Sequence, residues 1–279
     1  MSSLYVVSTP IGNLSDVTLR AREVLADVGV VLAEDTRRSR ILLEHLSVAT
    51  PLRSLHKHNE AERTGEVLGL LDSGTDVALV SDAGSPVVSD PGARLVKAVA
   101  EGGHRVVPVP GASAVLAALM GSGMSGDRFC FFGFPPRKGR ERTEVLERVA
   151  AAEETTILFE SPERLVVLLE ELEGLCGPDR RVVSARELTK LHEEFERGTM
   201  AEVLGYYREH PPRGEVTLVV AAAPVREEPD EVDEGAARAL ARVLLDEGVK
   251  PSRASREVAR RLGIPRNTAY RIVHSLDEA

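Results

Sequence analysis

The sequence predicts two α/β domains, the first on a parallel sheet and the second on a mixed one, followed by a small helical domain. Three observations carry this. Short β-branched runs alternate with amphipathic stretches through about the first 110 residues. The alternation resumes, with closer strand spacing, after a Gly/Ser-rich stretch at 121–126. The last fifty or so residues keep helical periodicity and hold no strand-like run. A chain of 279 residues suits about two domains of roughly 100–200 residues each.

In chain order, 4–8, 30–33, 77–81 and 106–109 are nearly continuous apolar runs. That is the pattern of strands buried on both faces of a parallel sheet. Segments 18–28, 39–46, 60–71 and 93–101 are amphipathic and serve as crossover helices. Asp90 and Pro91 read as N-cap and first residue of the last of these, and Gly102-Gly103 as its stop. In the second unit, 129–132, 155–159, 181–184, 192–197 and 216–221 read as strands, and 140–151, 162–172 and 200–209 as helices. Ser161-Pro162 repeats the cap-and-proline start. The short connection between 181–184 and 192–197 allows antiparallel pairing, so the second sheet is mixed. The expected domains are 1–120, 121–224 and, after an acidic linker at 225–233, a basic helical domain at 234–279. Its helices are expected at 234–247, 252–262 and 266–276.

A hydrophobic fraction of 43% and a charged fraction of 28% describe a globular chain and exclude disorder as its main state. No apolar run reaches the roughly 18 residues of a membrane span. The first residues lack a basic segment and run directly into a strand, so no signal peptide and a cytoplasmic location are expected. Cys130 and Cys176 form no CxxC or metal pattern and read as buried free thiols of a reducing compartment. A net charge of −9 argues against a protein that coats RNA generally. The charge is polarised, however. Residues 225–247 hold eight acids and three arginines, whereas 249–276 hold seven basic residues and one acid.

Ligands of open α/β sheets sit beyond the carboxyl ends of the strands. Those positions carry Thr9-Pro10-Ile11-Gly12-Asn13, Glu34-Asp35-Thr36-Arg37, Ser81-Asp82-Ala83-Gly84-Ser85-Pro86 and Pro110-Gly111-Ala112-Ser113. Loops are commonly rich in such residues. Asp82 and the Glu34-Asp35 pair, though, are acids that only a ligand, a cation or a helix N-terminus rewards. Gly121-Ser122-Gly123-Met124-Ser125-Gly126 matches GxGxxG but follows a helix and precedes a strand, so it reads as an interdomain hinge. There is no GxxxxGK[ST] loop, and Ser85 and Ser113 lack the GxSxG context. His56-Lys57-His58 has no third ligand at a recognisable spacing, so no metal is expected; it reads as a polar segment ending a strand. Arg186-Glu187-Leu188-Thr189-Lys190 is a dense polar loop that faces the same cleft if the second sheet points its strand ends inward. The tail has a helix-turn-helix look around Gly263-Ile264-Pro265. Lys250, Arg253, Arg256, Arg260, Arg266 and Arg271 are positioned for phosphate contact, against the alternative of a solvated helical cap.

Read in order, the loops above, with His58-Asn59-Glu60, Ser89-Asp90-Pro91-Gly92, Gly133-Phe134-Pro135-Pro136 and Arg186–Lys190, resemble a family along nearly the whole chain. It is the ribosomal RNA small subunit methyltransferase I family, cytidine 2′-O-methyltransferases of the tetrapyrrole-methylase superfamily. Ser85 stands where threonine is common and Val88 where isoleucine is common. Residues 9–13 replace the Gly-Pro-Gly-Asp loop of the wider superfamily.

The resemblance implies S-adenosyl-L-methionine as donor, bound in a cleft between two α/β domains of the tetrapyrrole-methylase type. It also implies a homodimer and a cytidine 2′-hydroxyl of small-subunit ribosomal RNA, free or in the assembled subunit, as acceptor. By matching loops, the donor contacts Pro10, Ile11, Asp82, Ser85, Pro86, Ala112 and Ser113, and from the second domain Phe159, Ala185 and Thr217. A ribose hydroxyl is a weak acid and needs a base. The candidates are Glu34, Asp35, His58, Glu60 and Glu187, with Asp35 favoured because it ends a buried strand. Arg37, Arg186 and Lys190 are candidates for phosphates. The alternatives are methylation of a corrin-type or diphthamide substrate, and a non-catalytic RNA-binding module.

Overall fold

The computed structural model describes residues 2–224, 234–262, 264 and 266–277. Residues 1–223 form one compact unit and 224–279 a second.

The first sheet is all parallel, in the order β3-β2-β4-β1-β5. Its strands are β1 (Ser3–Val7), β2 (Val30–Ala33), β3 (Leu52–Ser54), β4 (Val77–Leu79) and β5 (Arg105–Val109). The connecting helices are α1 (Leu19–Asp27), α2 (Thr36–His45), α3 (Glu60–Asp72), α4 (Ala93–Glu101) and α5 (Ala114–Ser122). The continuous apolar runs follow from burial on both faces. Along β2, Val31 and Ala33 enter a core with Leu25, Leu42 and Leu43 of α1 and α2. The alternating Val30 and Leu32 enter another with Val67, Leu71, Leu95 and Val99 of α3 and α4.

The second sheet, in the order β6-β7-β10-β8-β9, is mixed as expected. It contains β6 (Phe129–Phe131), β7 (Thr155–Glu160), β8 (Arg181–Arg186), β9 (Glu194–Thr199) and β10 (Val216–Val220), and the β8–β9 pair is antiparallel. One face packs on α6 (Arg140–Ala151), α7 (Pro162–Cys176) and α8 (Met200–Glu209) through Leu158, Leu218, Leu165, Leu169 and Val203. The other packs on α5: Ile157, Val183 and Val219 meet Val115 and Ala118, with Ile11 and Leu188 in the same cluster. The last helix of the first sheet therefore supplies the cover of the second, and this shared core fixes the cleft between them.

Several expectations are corrected. The fourth crossover helix starts at Ala93 with Gly92 as its N-cap at φ 121, so Asp90 is not the cap. Glu60 does that work from α3, its Oε1 accepting hydrogen bonds from the backbone N–H of Gly92, Arg94 and Leu95. β3 was not delimited by the pattern because it is three residues long and exposed at Arg53. The edge strand β9 starts at Glu194, two residues later than expected. The glycine-rich stretch is not a hinge at its start: Gly121 lies inside α5, and Gly123 is the left-handed C-cap at φ 76. Both cysteines are free and half-buried rather than buried.

The second unit packs α9 (Glu234–Asp246), α10 (Pro251–Leu262) and α11 (Arg266–Asp277) around Ala241, Leu244, Val258, Ile272 and Val273. The acidic linker at 225–233, with Gly263 and Pro265 of the expected turn, lies outside the described residues.

Candidate functional site

A cavity of about 390 Å³ opens between the two sheets, within the range of small-molecule sites. From the first sheet it is lined by Ile11 after β1, by 82–85 and 88–90 after β4, by Ser113, Ala114 and Val115 after β5, and by Arg38 of α2. From the second come Phe134, the β7–α7 junction at 159–162, and 214–217 at the start of β10.

The first wall is stitched by its backbone. Thr9 and Gly84 exchange two hydrogen bonds at 2.8 and 3.0 Å, joining the loops after β1 and β4. The Ser8 and Ser85 hydroxyls meet at 2.9 Å. The β4–α4 loop then turns through left-handed conformations at Gly84, Val87 (φ 75), Ser89 (φ 66) and Gly92. A β-branched residue at positive φ is strained by roughly 1–3 kcal/mol, and such strain concentrates at ligand sites.

The second wall is aromatic and apolar. The Phe159 ring lies 4.9 Å from Phe131 and 5.4 Å from Phe134. Behind it Glu160, 1% exposed, accepts from the Ser161 N–H at 2.8 Å and from Arg164 Nε at 2.7 Å. Buried Arg142 lies 3.9 Å from its other oxygen and donates to the Pro136 carbonyl at 2.9 Å. This ion network ties the Phe134 loop to the start of α7. The caps of α5 and α7, Ser113 and Ser161, make no side-chain cap hydrogen bond, and both line the cavity.

Among the residues expected at the donor, Ile11, Asp82, Ser85, Ser113, Phe159 and Thr217 line the cavity. Pro10, Pro86 and Ala112 lie on the same loops but are not among the lining residues, and Ala185 is buried behind Thr217, its neighbour on β10.

The expected bases fare differently. Asp35 is the N-cap of α2 and accepts from the Arg37 N–H, Nε and Nη2 at 2.9, 3.0 and 2.7 Å. Those bonds hold its carboxyl down at about 2, which makes it a poor base. Arg37 is correspondingly tied to Asp35 rather than free. Glu60 is the α4 cap already described. Glu187 is a brace: its Oε1 accepts from Lys190 Nζ at 2.8 Å and from the Glu215 N–H at 2.9 Å, and the lysine holds its carboxyl below the usual range. Lys190 is shared between Glu187 and Glu215, and Arg186 is paired with Glu194 at 2.7 Å, so neither is a free phosphate ligand. His58 is exposed and does not line the cavity. Glu34 is not a lining residue either; burial, then the Asp82 charge, push its carboxyl up.

Sequence reasoning missed Asp90, Phe134, Glu160 and Glu215 as cavity residues. Asp90 and Ser161-Pro162 were visible, but as helix starts; Phe134 stood in a quoted motif without a role. Among the described residues no group of three or more His, Cys, Asp or Glu could hold a metal, and no helix is long and apolar enough to cross a membrane.

In the tail, Arg253, Arg256 and Arg260 share one face of α10 at i, i+3 and i+7. Arg260 is paired with Glu257 at 2.7 Å. Lys250, Arg253, Arg256 and Arg271 are exposed and form no ion pair among the described residues. The Arg266 side chain lies outside the described part.

A model of the tetrapyrrole (corrin/porphyrin) methylases matches residues 3–204. The ribosomal RNA small subunit methyltransferase I of Synechocystis sp. is 44% identical over 277 residues, 99% of either chain. That of Micromonospora olivasterospora is 46% identical over 278 residues, 99% of this chain and 88% of the relative. Among solved structures, a diphthine synthase superposes with a TM-score of 0.62 at 14% identity, covering 80% of this chain and 90% of that one. A Thermus thermophilus uroporphyrin-III C-methyltransferase complexed with S-adenosylhomocysteine does so with 0.59 at 20% identity, covering 79% and 97%. These last two share the fold.

Proposed function

The chain belongs to the ribosomal RNA small subunit methyltransferase I family of the tetrapyrrole methylases, and from that premise we propose that it methylates the 2′-hydroxyl of a cytidine ribose in small-subunit ribosomal RNA, with S-adenosylmethionine as donor. The observation that carries this reading is the cavity between the sheets, in a chain similar to these enzymes over 99% of its length.

The lining fits the donor chemically. Phe134, Phe159 and Ile11 offer flat apolar surface for an adenine ring, and Asp82 and Glu215 offer negative charge for a sulfonium and an ammonium. The N-terminus of α5 offers N–H groups to a carboxylate. When bound, the donor supplies an electrophilic methyl carbon on a positively charged sulfur. The chain's own contribution is then to hold two reactants in line, exclude water with the aromatic wall, and accept a proton.

The exposed cations Lys250, Arg253, Arg256 and Arg271 support phosphate contact by the second unit. A cytoplasmic location and a homodimer belong to the same reading; the apolar side chains of Met120 (85% exposed) and Leu116 on α5 are available to bury. The test is donor binding by calorimetry beside methyl transfer into small ribosomal subunits. Binding with transfer supports the reading; a chain that binds no donor contradicts it.

A further inference from the structure

The cavity has a mouth as well as a floor, and its mouth is apolar. Among the described lining residues, Phe134 and Val88 are the two large hydrophobic ones that stand exposed, at 55% and 42%. They come from different walls: Phe134 from the loop between β6 and α6, Val88 from the loop between β4 and α4. The two loops lie close together, since a Cβ on Gly133 would sit 3.0 Å from the Ser89 hydroxyl oxygen. Phe134 lies 5.4 Å from Phe159 between ring centroids, so it carries the aromatic wall outward, past the part that Phe159 and buried Ile11 form inside.

The loop holds Phe134 rigidly in that pose. Gly133 takes left-handed backbone at φ 64, and its carbonyl accepts from the Phe159 N–H at 2.9 Å. Pro135 and Pro136 follow with fixed φ angles. The Pro136 carbonyl accepts from buried Arg142 at 2.9 Å, and Arg142 is itself held by Glu171 at 2.9 Å. An exposed ring on a rigid loop gives up little freedom when a flat partner covers it. Just beyond the prolines come unanswered charges. Arg137 and Lys138 are exposed and form no ion pair among the described residues, whereas the next cation, Arg140, is taken by Glu144 at 2.7 Å. In a chain of net charge −9, two free cations three and four residues from an exposed ring match a single nucleic-acid strand. Each of its bases has a flat face to stack and each of its nucleotides a phosphate to neutralise. A paired base has both faces covered by its neighbours, so the mouth selects an unpaired one.

We infer that this mouth is the acceptor subsite: Phe134, beside Val88, stacks the base of the nucleotide whose ribose is methylated, and Arg137 and Lys138 hold the phosphates next to it. The inference rests on the methyl-transfer reading above and adds what the acceptor must be, a single-stranded or everted nucleotide. Stacking at the mouth fixes the attached sugar at the entrance, with its hydroxyl toward a donor bound inside, which is the positioning that in-line transfer needs. Stacking on a phenylalanine accepts any base, so the ring orients the acceptor and leaves the choice of base to other contacts.

The sequence has no tryptophan, so Phe134→Trp places a single fluorescent reporter at the mouth. In protein already saturated with S-adenosylhomocysteine, its emission should be quenched on titration with small ribosomal subunits lacking the modification. Quenching by S-adenosylhomocysteine alone, with none added by the subunits, overturns the assignment, because the ring then serves the donor; an emission that neither ligand changes overturns it too. Phe134→Leu should weaken subunit binding roughly 5- to 150-fold, the range for one lost base stack. Arg137→Gln combined with Lys138→Gln should raise the KM for subunits with donor affinity unchanged by calorimetry. The same double variant should lower the slope of log K against log salt by about 1.4, two single-strand phosphate contacts at about 0.7 each. An unaltered KM and slope overturn the phosphate role and the subsite with it. Wild-type protein that transfers no methyl group to the subunits overturns the functional reading itself, a failure seen before any variant is made.

Discussion

Two loops follow strands of different sheets and carry similar densities of charge, yet the protein uses them in opposite ways. In the loop after β8, every charge is answered: Arg186 by Glu194, Glu187 by Lys190 and the Glu215 N–H, Lys190 by two acids. Its Thr189 hydroxyl accepts from the Asn13 N–H at 3.0 Å, pinning the second sheet to the first. Glu187 and Thr189 hold left-handed backbone to do so, at φ 51 and 63. In the loop after β4, strain of the same kind, at Val87 and Ser89, sets Asp82 and Asp90 on the cavity wall. Charges paired with one another hold the frame; charges on the wall of a cavity are available to a ligand.

The largest effect expected from this contrast is at the cavity itself. Ser113→Trp places a bulky ring in the space the donor needs, so binding should vanish in a calorimetric titration while the circular dichroism spectrum is kept; unchanged affinity would remove the cavity from the account. Next is the frame. Gly214 sits at φ 79, and a Cβ there would run into the Glu187 carboxyl group. Gly214→Ala should cost about 1–3 kcal/mol in urea unfolding, from positive φ and crowding together. A smaller loss, about 1–2 kcal/mol, is expected for Glu187→Gln, with activity falling only as far as the folded population falls. The depressed carboxyl of Glu187 sets the sign of its pH dependence: its folded pKa lies below the unfolded one, so it adds stability above the ordinary glutamate range and loses it as pH falls through the depressed value.

Asp90 carries the opposite sign. Between 3.8 and about 6 the folded protein keeps a proton that the unfolded chain releases, so stability falls as pH rises through that window. Asp90→Asn should therefore melt slightly higher than wild type at pH above about 7, with the difference vanishing toward about pH 4 in thermal unfolding. The smallest effect concerns the second unit. Replacing Arg253, Arg256 and Arg271 with glutamine should flatten the slope of log K against log salt for RNA by about 0.7–0.9 per lost contact. An unchanged slope would mean that these arginines only solvate the helices.

Most of the fold was legible because continuous apolar runs and period-3.6 stripes report burial, and both sheets are covered on both faces. β3 escaped because it is short and half-exposed. Within the site, the strand-end rule pointed to loops that place Ile11, Asp82, Ser85 and Ser113 on the cavity wall, and the family resemblance added Phe159 and Thr217. It could not say which acid caps a helix. Asp35 and Asp90 both precede helices in the sequence, but only Asp35 caps one; Glu60, thirty residues upstream of Asp90, takes the second cap across space. Competition of that kind leaves no trace in local sequence. Glu187 and Lys190 misled for the same reason, since the partner that occupies both, Glu215, is distant in the chain.

The central claim is that the cavity serves methyl transfer to a ribose hydroxyl of RNA. The measurement that tests it most directly is transfer of a tritiated methyl group from labelled S-adenosylmethionine to small ribosomal subunits lacking the modification, followed by digestion to nucleosides. Label is expected on the 2′-oxygen of a cytidine. Label on a base, or transfer to a corrin-type or diphthamide substrate with none to RNA, would contradict it.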